Sequence, residues 1–528
     1  MGRPKTPAAL AVALGIFLSR VAGLLRDRVF AHYLGNSVAA GAFKAALRIP
    51  NFLQNLFGEG VLSASFIPVY ARLRAEGQDD EARKLAGSVA TILILSVTIL
   101  SAVGVLFAPL MIDVLAPGFD SPDVRSLTIN LVRIMFPGIA LLVMSAWCLG
   151  ILNSHGHFLL SYVAPVLWNL AIITALIWSG LKSEGDVLSQ TRLVVHVAWG
   201  TVAGCFLQLG VQLPQVIRLV KGVKFRLGLQ NSSVRRVIKN FLPVLGSRGV
   251  VQVSAYIDGI IASFLGPAVY SAMAYAQTLY LLPISLFGMS VSAAELPAMS
   301  SVIGNQELVH KQVQEKLVRG LCRVAYFVIP SVAAMLVLGD VIIATVYQTG
   351  VFTPKDAQDC WIILGGYAIG LLPSTLGRLC STAFYATSDS RTPLKYACLR
   401  VAMTAGLGTI AALVLRQAFG LSLVTGAALL TSAAGISSWL EYLLLKRAIG
   451  KVLGEVKIPF KLLSGLILTA LFSACLGYSV KTILPRLNPV ISGGCVLGAF
   501  GASYLVLTAL LRLGEGKKVR IAITKHLN

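Results

Sequence analysis

Charged residues are scarce in this sequence. Asp, Glu, Lys and Arg together make up 13% of its 528 residues, against about a quarter in soluble domains. A soluble chain of this length cannot cover its surface with so few, so a soluble enzyme is excluded. Acids are the scarcer sign, 22 against 45 Lys and Arg, leaving a net charge of +23. The eight cysteines are scattered singly with no CxxC pair, which indicates neither a disulfide framework nor a zinc site. His155-Gly-His157 has no acid or cysteine beside it and reads as a polar loop, not a metal site. No GxxxxGK[ST] loop occurs, so this chain is not expected to hydrolyse ATP. No catalytic residue, cofactor or metal is expected. What is abundant is apolar: 56% of the residues, with a mean hydropathy of +0.79. That composition describes an all-α, polytopic membrane protein. Its basic excess fits cytoplasmic loops facing anionic lipid and not nucleic acid, because no basic domain stands apart from the apolar stretches.

Arg3 and Lys5 ahead of apolar residues 8–18 look like a signal peptide. Arg20 and a further apolar run follow, so a retained first helix is expected. Met1-Gly2 with Thr6, and Asn231-Ser-Ser, match lipidation and glycosylation patterns by chance. A crossing helix needs about 20 apolar residues. Fourteen such stretches are expected: 8–33, 37–71, 84–114, 124–153, 158–181, 188–217, 236–264, 268–301, 316–347, 358–385, 394–416, 421–446, 458–481 and 488–512. The second is too long for one straight crossing, and Pro50-Asn51 is expected to break it. Basic residues cluster in 72–84, 218–239, 446–461 and the tail, whereas 113–123 and 182–186 are acidic or nearly neutral. That asymmetry places both termini in the cytoplasm.

The chain also repeats itself. Asp27 with Tyr33-Leu34-Gly35 recurs as Asp258 with Phe264-Leu265-Gly266, and Leu56-Phe57-Gly58 as Leu286-Phe287-Gly288. Val61, Ala64 and Pro68 then recur as Val291, Ala294 and Pro297 at a nearly constant offset. Six stretches separate the copies, so both run the same way through the membrane. That is the parallel-repeat plan of transporters. It divides the chain into two pseudo-symmetric six-helix lobes, 1–220 and 221–450, with two C-terminal helices and a tail in 451–528.

Ionisable residues at membrane depth are costly and mark pathways. The cations there are Arg20, Arg26, Arg28, Lys44, Arg48, Arg133, Arg248 and Arg378, and the acids are Asp27, Glu59, Asp258 and Glu295. Arg28 near its helix end reads as snorkelling. Asp27 and Asp258 are expected to pair with neighbouring arginines. The cationic majority points to a cavity for an anion, because the planar donor fork of Arg matches phosphate oxygens.

Three segments then become specific together: Ser19-Arg20 through Arg26-Asp27; Ala42-Phe43 with Arg48-Ile-Pro50-Asn51; and Phe57-Gly-Glu59-Gly60 with Ser65-Phe66-Ile-Pro68. They resemble the N-terminal signature of the lipid II flippase family (MurJ/MviN type). Ala116-Pro-Gly-Phe119, Tyr347-Gln-Thr-Gly350-Val-Phe352-Thr353 and Phe384-Tyr385 with Asp389-Ser-Arg391-Thr-Pro393 resemble later family motifs. The resemblance implies the fold of the multidrug/oligosaccharidyl-lipid/polysaccharide (MOP) superfamily. It implies alternating access between two lobes, and a groove for the lipid tail formed by the two extra helices. The implied substrate is the undecaprenyl-pyrophosphate-linked peptidoglycan precursor. Membrane lipids and wall-synthesis proteins are the implied partners, and the bacterial inner membrane the location. It carries substrate contact onto Arg20, Arg26 and Arg48, and the structural or gating positions are Asp27, Pro50, Asn51, Glu59 and Asp258. Family members carry Asp where Gly41 sits, Arg where Gln54 sits, and Asp-Arg where Gln277-Thr278 sits. Arg248, in Ser247-Arg248 echoing Ser19-Arg20, is the expected replacement for that last cation. The alternatives are a MOP-type exporter of another undecaprenyl-linked glycan, and a cation-coupled drug exporter.

Overall fold

The computed structural model describes residues 8–57, 62, 65–182, 186–222, 226–292, 295, 299, 306–386, 389–485 and 487–514, without the side chains of 8–13, 52–57, 242–255, 306, 307 and 309. The described residues form helices and connecting turns, with no strand among them. In chain order the helices are α1 (Ala8–Leu34), α2 (Val38–Phe57), α3 (Ile67–Ala75), α4 (Asp79–Leu106), α5 (Ala108–Leu115), α6 (Pro122–Ser154), α7 (Phe158–Gly180), α8 (Val187–Leu219) and α9 (Ser232–Ser263). After these come α10 (Pro267–Pro283), α11 (Gln306–Val337), α12 (Gly339–Tyr347), α13 (Pro354–Ala386), α14 (Arg391–Thr409), α15 (Leu423–Leu453), α16 (Phe460–Ile483) and α17 (Pro489–Leu510). Single π-turns at Ile284–Met289 and Ile410–Leu415 extend α10 and α14.

Each of the fourteen expected stretches contains a helix. Among the described residues, eleven helices are long and apolar enough to cross a membrane. The long helices outside that set are α1, α2 and α9. These three carry Arg20, Arg26, Asp27 and Arg28, then Lys44 and Arg48, then Arg248 and Asp258.

The expected break at Pro50 does not occur. α2 runs helically through Pro50 to Phe57. A proline removes one backbone bond and crowds the preceding turn, but apolar helices absorb this where neighbours support the backbone. Pro137, Pro165, Pro214, Pro330 and Pro373 are likewise helix-internal.

Local chemistry sets the helix ends. Asp186, Asn231, Ser422 and Asn488 each accept a hydrogen bond from a backbone N–H of the first turn of α8, α9, α15 and α17, satisfying donors that a helix leaves open. Asn231 also donates to Glu81 at 3.0 Å, so the glycosylation-like triplet is a structural cap. The repeated Leu-Gly pairs share one role. Gly35 and Gly266 both turn at positive φ, 52° and 91°, just after α1 and α9, a conformation that glycine adopts without steric cost.

The chain divides into two compact units, Met1–Tyr270 with Thr349–Val351, and Ser271–Gln348 with Phe352–Asn528. The first takes in α9 because that helix packs on α2, α4 and α5. The tripeptide is joined to α1: Val351 N donates to the His32 carbonyl at 2.9 Å, and His32 Nδ1 bonds Thr349 Oγ1 at 2.9 Å. In the second unit α13 and α15 cross through paired glycines, a Cβ on Gly370 lying 2.8 Å from Gly435 Cα; small residues allow such approach in membranes. The two C-terminal helices pack there on α11, with Leu466, Ala470, Ala474 and Tyr504 against Ala325, Tyr326 and Ile329.

The turn after α6 carries a pH-dependent contact. His155 Nε2 lies 3.0 Å from the Tyr70 hydroxyl of α3, and Arg74 donates to the Ser154 carbonyl at 2.7 Å. Burial, then the charges of Arg74 and His157, push His155 from its ordinary 6.5 down to about 4. The unfolded chain therefore takes up this proton first as pH falls. The contact is at full strength above about pH 6.5 and is lost progressively toward pH 4. Thermal unfolding should show a larger drop between pH 7 and pH 5 for the native protein than for H155Q; equal drops would remove His155 from the account.

Candidate functional site

Two guanidinium groups are held in place within the first unit. Arg26 and Asp27 are sequence neighbours, which a helix normally points apart, yet the Arg26 side chain curls back. Its Nε and Nη2 donate to Asp27 Oδ1 at 3.1 and 2.9 Å. Its Nη1 donates to Asn169 Oδ1 on α7 at 3.1 Å, and its plane lies 5.2 Å from the Trp168 ring. Asn169 is buried and donates its own amide to the Pro165 carbonyl at 3.0 Å, which turns its oxygen toward Arg26. Asp27 is 8% exposed, so a carboxylate there requires such a partner. The expected pairing of Asp27 with a neighbouring arginine is therefore found.

The second group is Arg48 on α2. Its Nη1 donates to the Tyr270 hydroxyl at 3.3 Å. Its guanidinium stands 5.4 Å from the Tyr256 ring, and the Tyr256 hydroxyl donates to the Arg48 carbonyl. These groups border a small cavity together with Ala45, Ile49, Ile112, Leu115 and Gly259. Lys44, one turn earlier, sits 5.1 Å over the Phe30 ring.

The other predicted positions fall as follows. Arg20 is exposed at the middle of α1. Pro50 is buried and Asn51 half-buried, both inside α2. Asp258 is half-buried on α9, beside Gly259. Arg248 lies on α9, but its side chain is outside the described residues, as is Glu59 altogether. Thr278 turns its hydroxyl back to the Ala274 carbonyl at 3.1 Å. Arg133 is exposed and donates to the Val105 carbonyl at 3.3 Å. Sequence reasoning missed Asn169, Trp168, Tyr256 and Tyr270, which are uncharged. It also missed an ion pair inside the second unit, Arg400 with Glu441 at 2.8 Å, which the rule on charges at membrane depth would have flagged. Among the described residues no group of three His, Cys, Asp or Glu side chains gathers for a metal.

The family model for the lipid II flippase MurJ matches residues 30–491. The chain belongs to the MurJ lipid II flippase family. Its MurJ-family relatives include a "Lipid II flippase MurJ" of Burkholderia cenocepacia, 30% identical over 396 residues, covering 74% of this chain and 75% of that one. Another is a "Probable lipid II flippase MurJ" of Aquifex aeolicus, 30% identical over 511 residues, covering 96% and 94%. Among solved structures, a lipid II flippase MurJ in an inward closed conformation is similar with a TM-score of 0.77 and 25% identity, covering 95% of this chain and 98% of that one. A multidrug resistance MATE transporter of the MOP superfamily, at 17% identity and a TM-score of 0.60, covers 84% and 99% and shares the fold. This MurJ-family chain is thus an all-α, multi-pass membrane protein whose fold is similar to that of a MOP-superfamily transporter.

Proposed function

We propose that this chain carries lipid II, the undecaprenyl-pyrophosphate-linked peptidoglycan precursor, from the inner to the outer leaflet of the bacterial cytoplasmic membrane by alternating access. It acts as a transporter without catalytic chemistry of its own. The observation that carries the reading is Arg26 held in α1 by Asp27, Asn169 and Trp168, in a chain whose family is that of the lipid II flippases. A pyrophosphate leaving water needs donors to replace its hydration. Arg26 has five N–H donors. One from each of its three nitrogens is used among the described residues, so Nη1 and Nη2 each keep one for a phosphate oxygen. Asp27 offsets the guanidinium charge between substrates, which lowers the cost of holding it in the membrane. Arg20 and Arg48 extend the cationic path in the first lobe, and Arg248 supplies the second lobe in place of the cation absent at Thr278. Lobes 1–220 and 221–450 move against each other, and 451–528 forms the groove for the lipid tail.

In this reading both termini are cytoplasmic and fourteen helices cross. The loop contacts support it, because each joins segments of one side. Glu81 meets Asn231, Arg74 meets Ser154, and Gln314 meets Glu455 on the cytoplasmic side. Gly118 meets Ser263, and His32 meets Thr349, on the other. Single cysteines placed at Gln230 and Asp120, in a variant without the native cysteines, should label from opposite faces; labelling from one face would break the topology. The functional test is rescue of a flippase-depleted strain, read as outer-leaflet lipid II. Failure of the chain to restore export, at normal membrane levels, would overturn the assignment.

A further inference from the structure

Three residues that meet Arg48 come from two other helices: Tyr256 and Gly259 on α9, and Tyr270 on α10. Their contacts are complementary. The Tyr256 hydroxyl holds the Arg48 backbone carbonyl, and its ring faces the guanidinium at 5.4 Å. The Tyr270 hydroxyl accepts from Nη1 at 3.3 Å. Gly259 leaves the room for this arrangement: a Cβ there would lie 2.9 Å from Arg48 Nη1 and 3.2 Å from the Tyr270 hydroxyl, too close for both to keep their places. The surrounding wall includes Ala45, Ile49, Ile112 and Leu115, all aliphatic.

From this convergence we infer that Tyr256, Tyr270 and Gly259 are positioning residues that fix the direction of the Arg48 donor fork toward the pyrophosphate of the substrate. Arg48 is on a helix with a buried proline two residues on, and its long side chain has many rotamers. An aromatic face and a phenol oxygen select among them at low entropic cost. A phenol oxygen is a neutral acceptor at long distance. A phosphate oxygen forms a shorter, charge-assisted bond, so the Tyr270 contact orients the guanidinium and can yield to the anion. This inference rests on the reading that Arg48 contacts substrate.

The test measures lipid II binding to the purified full-length protein in lipid nanodiscs, with undecaprenyl monophosphate as comparator. Tyr270→Phe, Tyr256→Phe and Gly259→Ala are made alone and in an Arg48→Ala background. Each single variant should weaken lipid II binding about 2- to 10-fold, the range of one net hydrogen bond, and weaken the monophosphate less. In the Arg48→Ala background each should have no further effect, since a positioning residue acts only through the group it positions. Equal losses in both backgrounds would mean a general structural role and overturn the inference. So would native-like binding by Tyr270→Phe, the mildest change and the one that decides if Gly259→Ala does not fold. If Arg48→Ala itself binds lipid II as the native protein does, Arg48 is not a substrate contact, and the inference falls with that part of the functional reading.

Discussion

Gly41→Asp is expected to leave little folded protein in the membrane. Aspartate is the residue that the family resemblance implies at this position, so the substitution restores a family feature and should still fail. The reason is a backbone crossing. A Cβ built on Gly41 of α2 falls onto the carbonyl, C and Cα of Pro267 at the start of α10. These are backbone atoms, which cannot turn aside as a flexible side chain can. Room for any side chain requires α2 and the α10 terminus to separate, and a charged one must then be buried without a designed partner. That belongs with the rare substitutions costing more than about 4 kcal/mol. Gly41→Ala should be nearly as damaging. Gly23 on α1 is the control: a Cβ there meets nothing within 4 Å, so Gly23→Ala should be neutral or stabilising by up to about 1 kcal/mol. Detergent-extracted yield and thermal unfolding of the three variants check this. A well-folded Gly41→Asp protein would show that α2 and α10 do not meet as described.

Arg26→Ala should remove transport and destabilise the protein, for two separable reasons. Loss of a charge-assisted contact to the pyrophosphate weakens binding by about 1.5–3 kcal/mol, one to two orders of magnitude. Independently, Asp27 at 8% exposure is left without the guanidinium that accompanies it, and stranding a buried charge costs about 3–5 kcal/mol. The double variant Arg26→Ala with Asp27→Asn separates them. It should recover most of the stability and none of the transport. Arg26→Lys should keep the pairing with Asp27 but restore little transport, since one ammonium cannot reproduce the planar fork shared by Asp27, Asn169 and the substrate. Recovery of transport in the double variant would make the Arg26–Asp27 pair a structural element only.

The fold class was legible because membrane spans declare themselves by length and hydropathy. Two of the repeated residues, Gly35 and Gly266, both turn the chain at positive φ after a helix. Pro50 misled because a proline in an apolar helix signals a break on local grounds, whereas the packed α2 carries it through. Arg26 and Asp27 were visible as charges out of place. Their neutral partners were not, for Asn169, Tyr256 and Tyr270 are unremarkable residues until folding brings them against a cation. Gly41 carries no sequence signal of its own role, which depends on a backbone hundreds of residues away in the chain. Arg400 and Glu441 lie inside their helices but close in sequence to other basic residues, Lys395 and Lys446, so neither stands out as a lone charge.

The central claim is that cations fixed within the membrane carry a lipid pyrophosphate across it. The direct measurement is the amount of lipid II reaching the outer leaflet in flippase-depleted cells that express the native chain, or the Arg26→Ala, Asp27→Asn double variant at matched membrane levels. The account predicts export restored by the native chain and lower by at least about tenfold with the double variant. Equal export by the two proteins would contradict it.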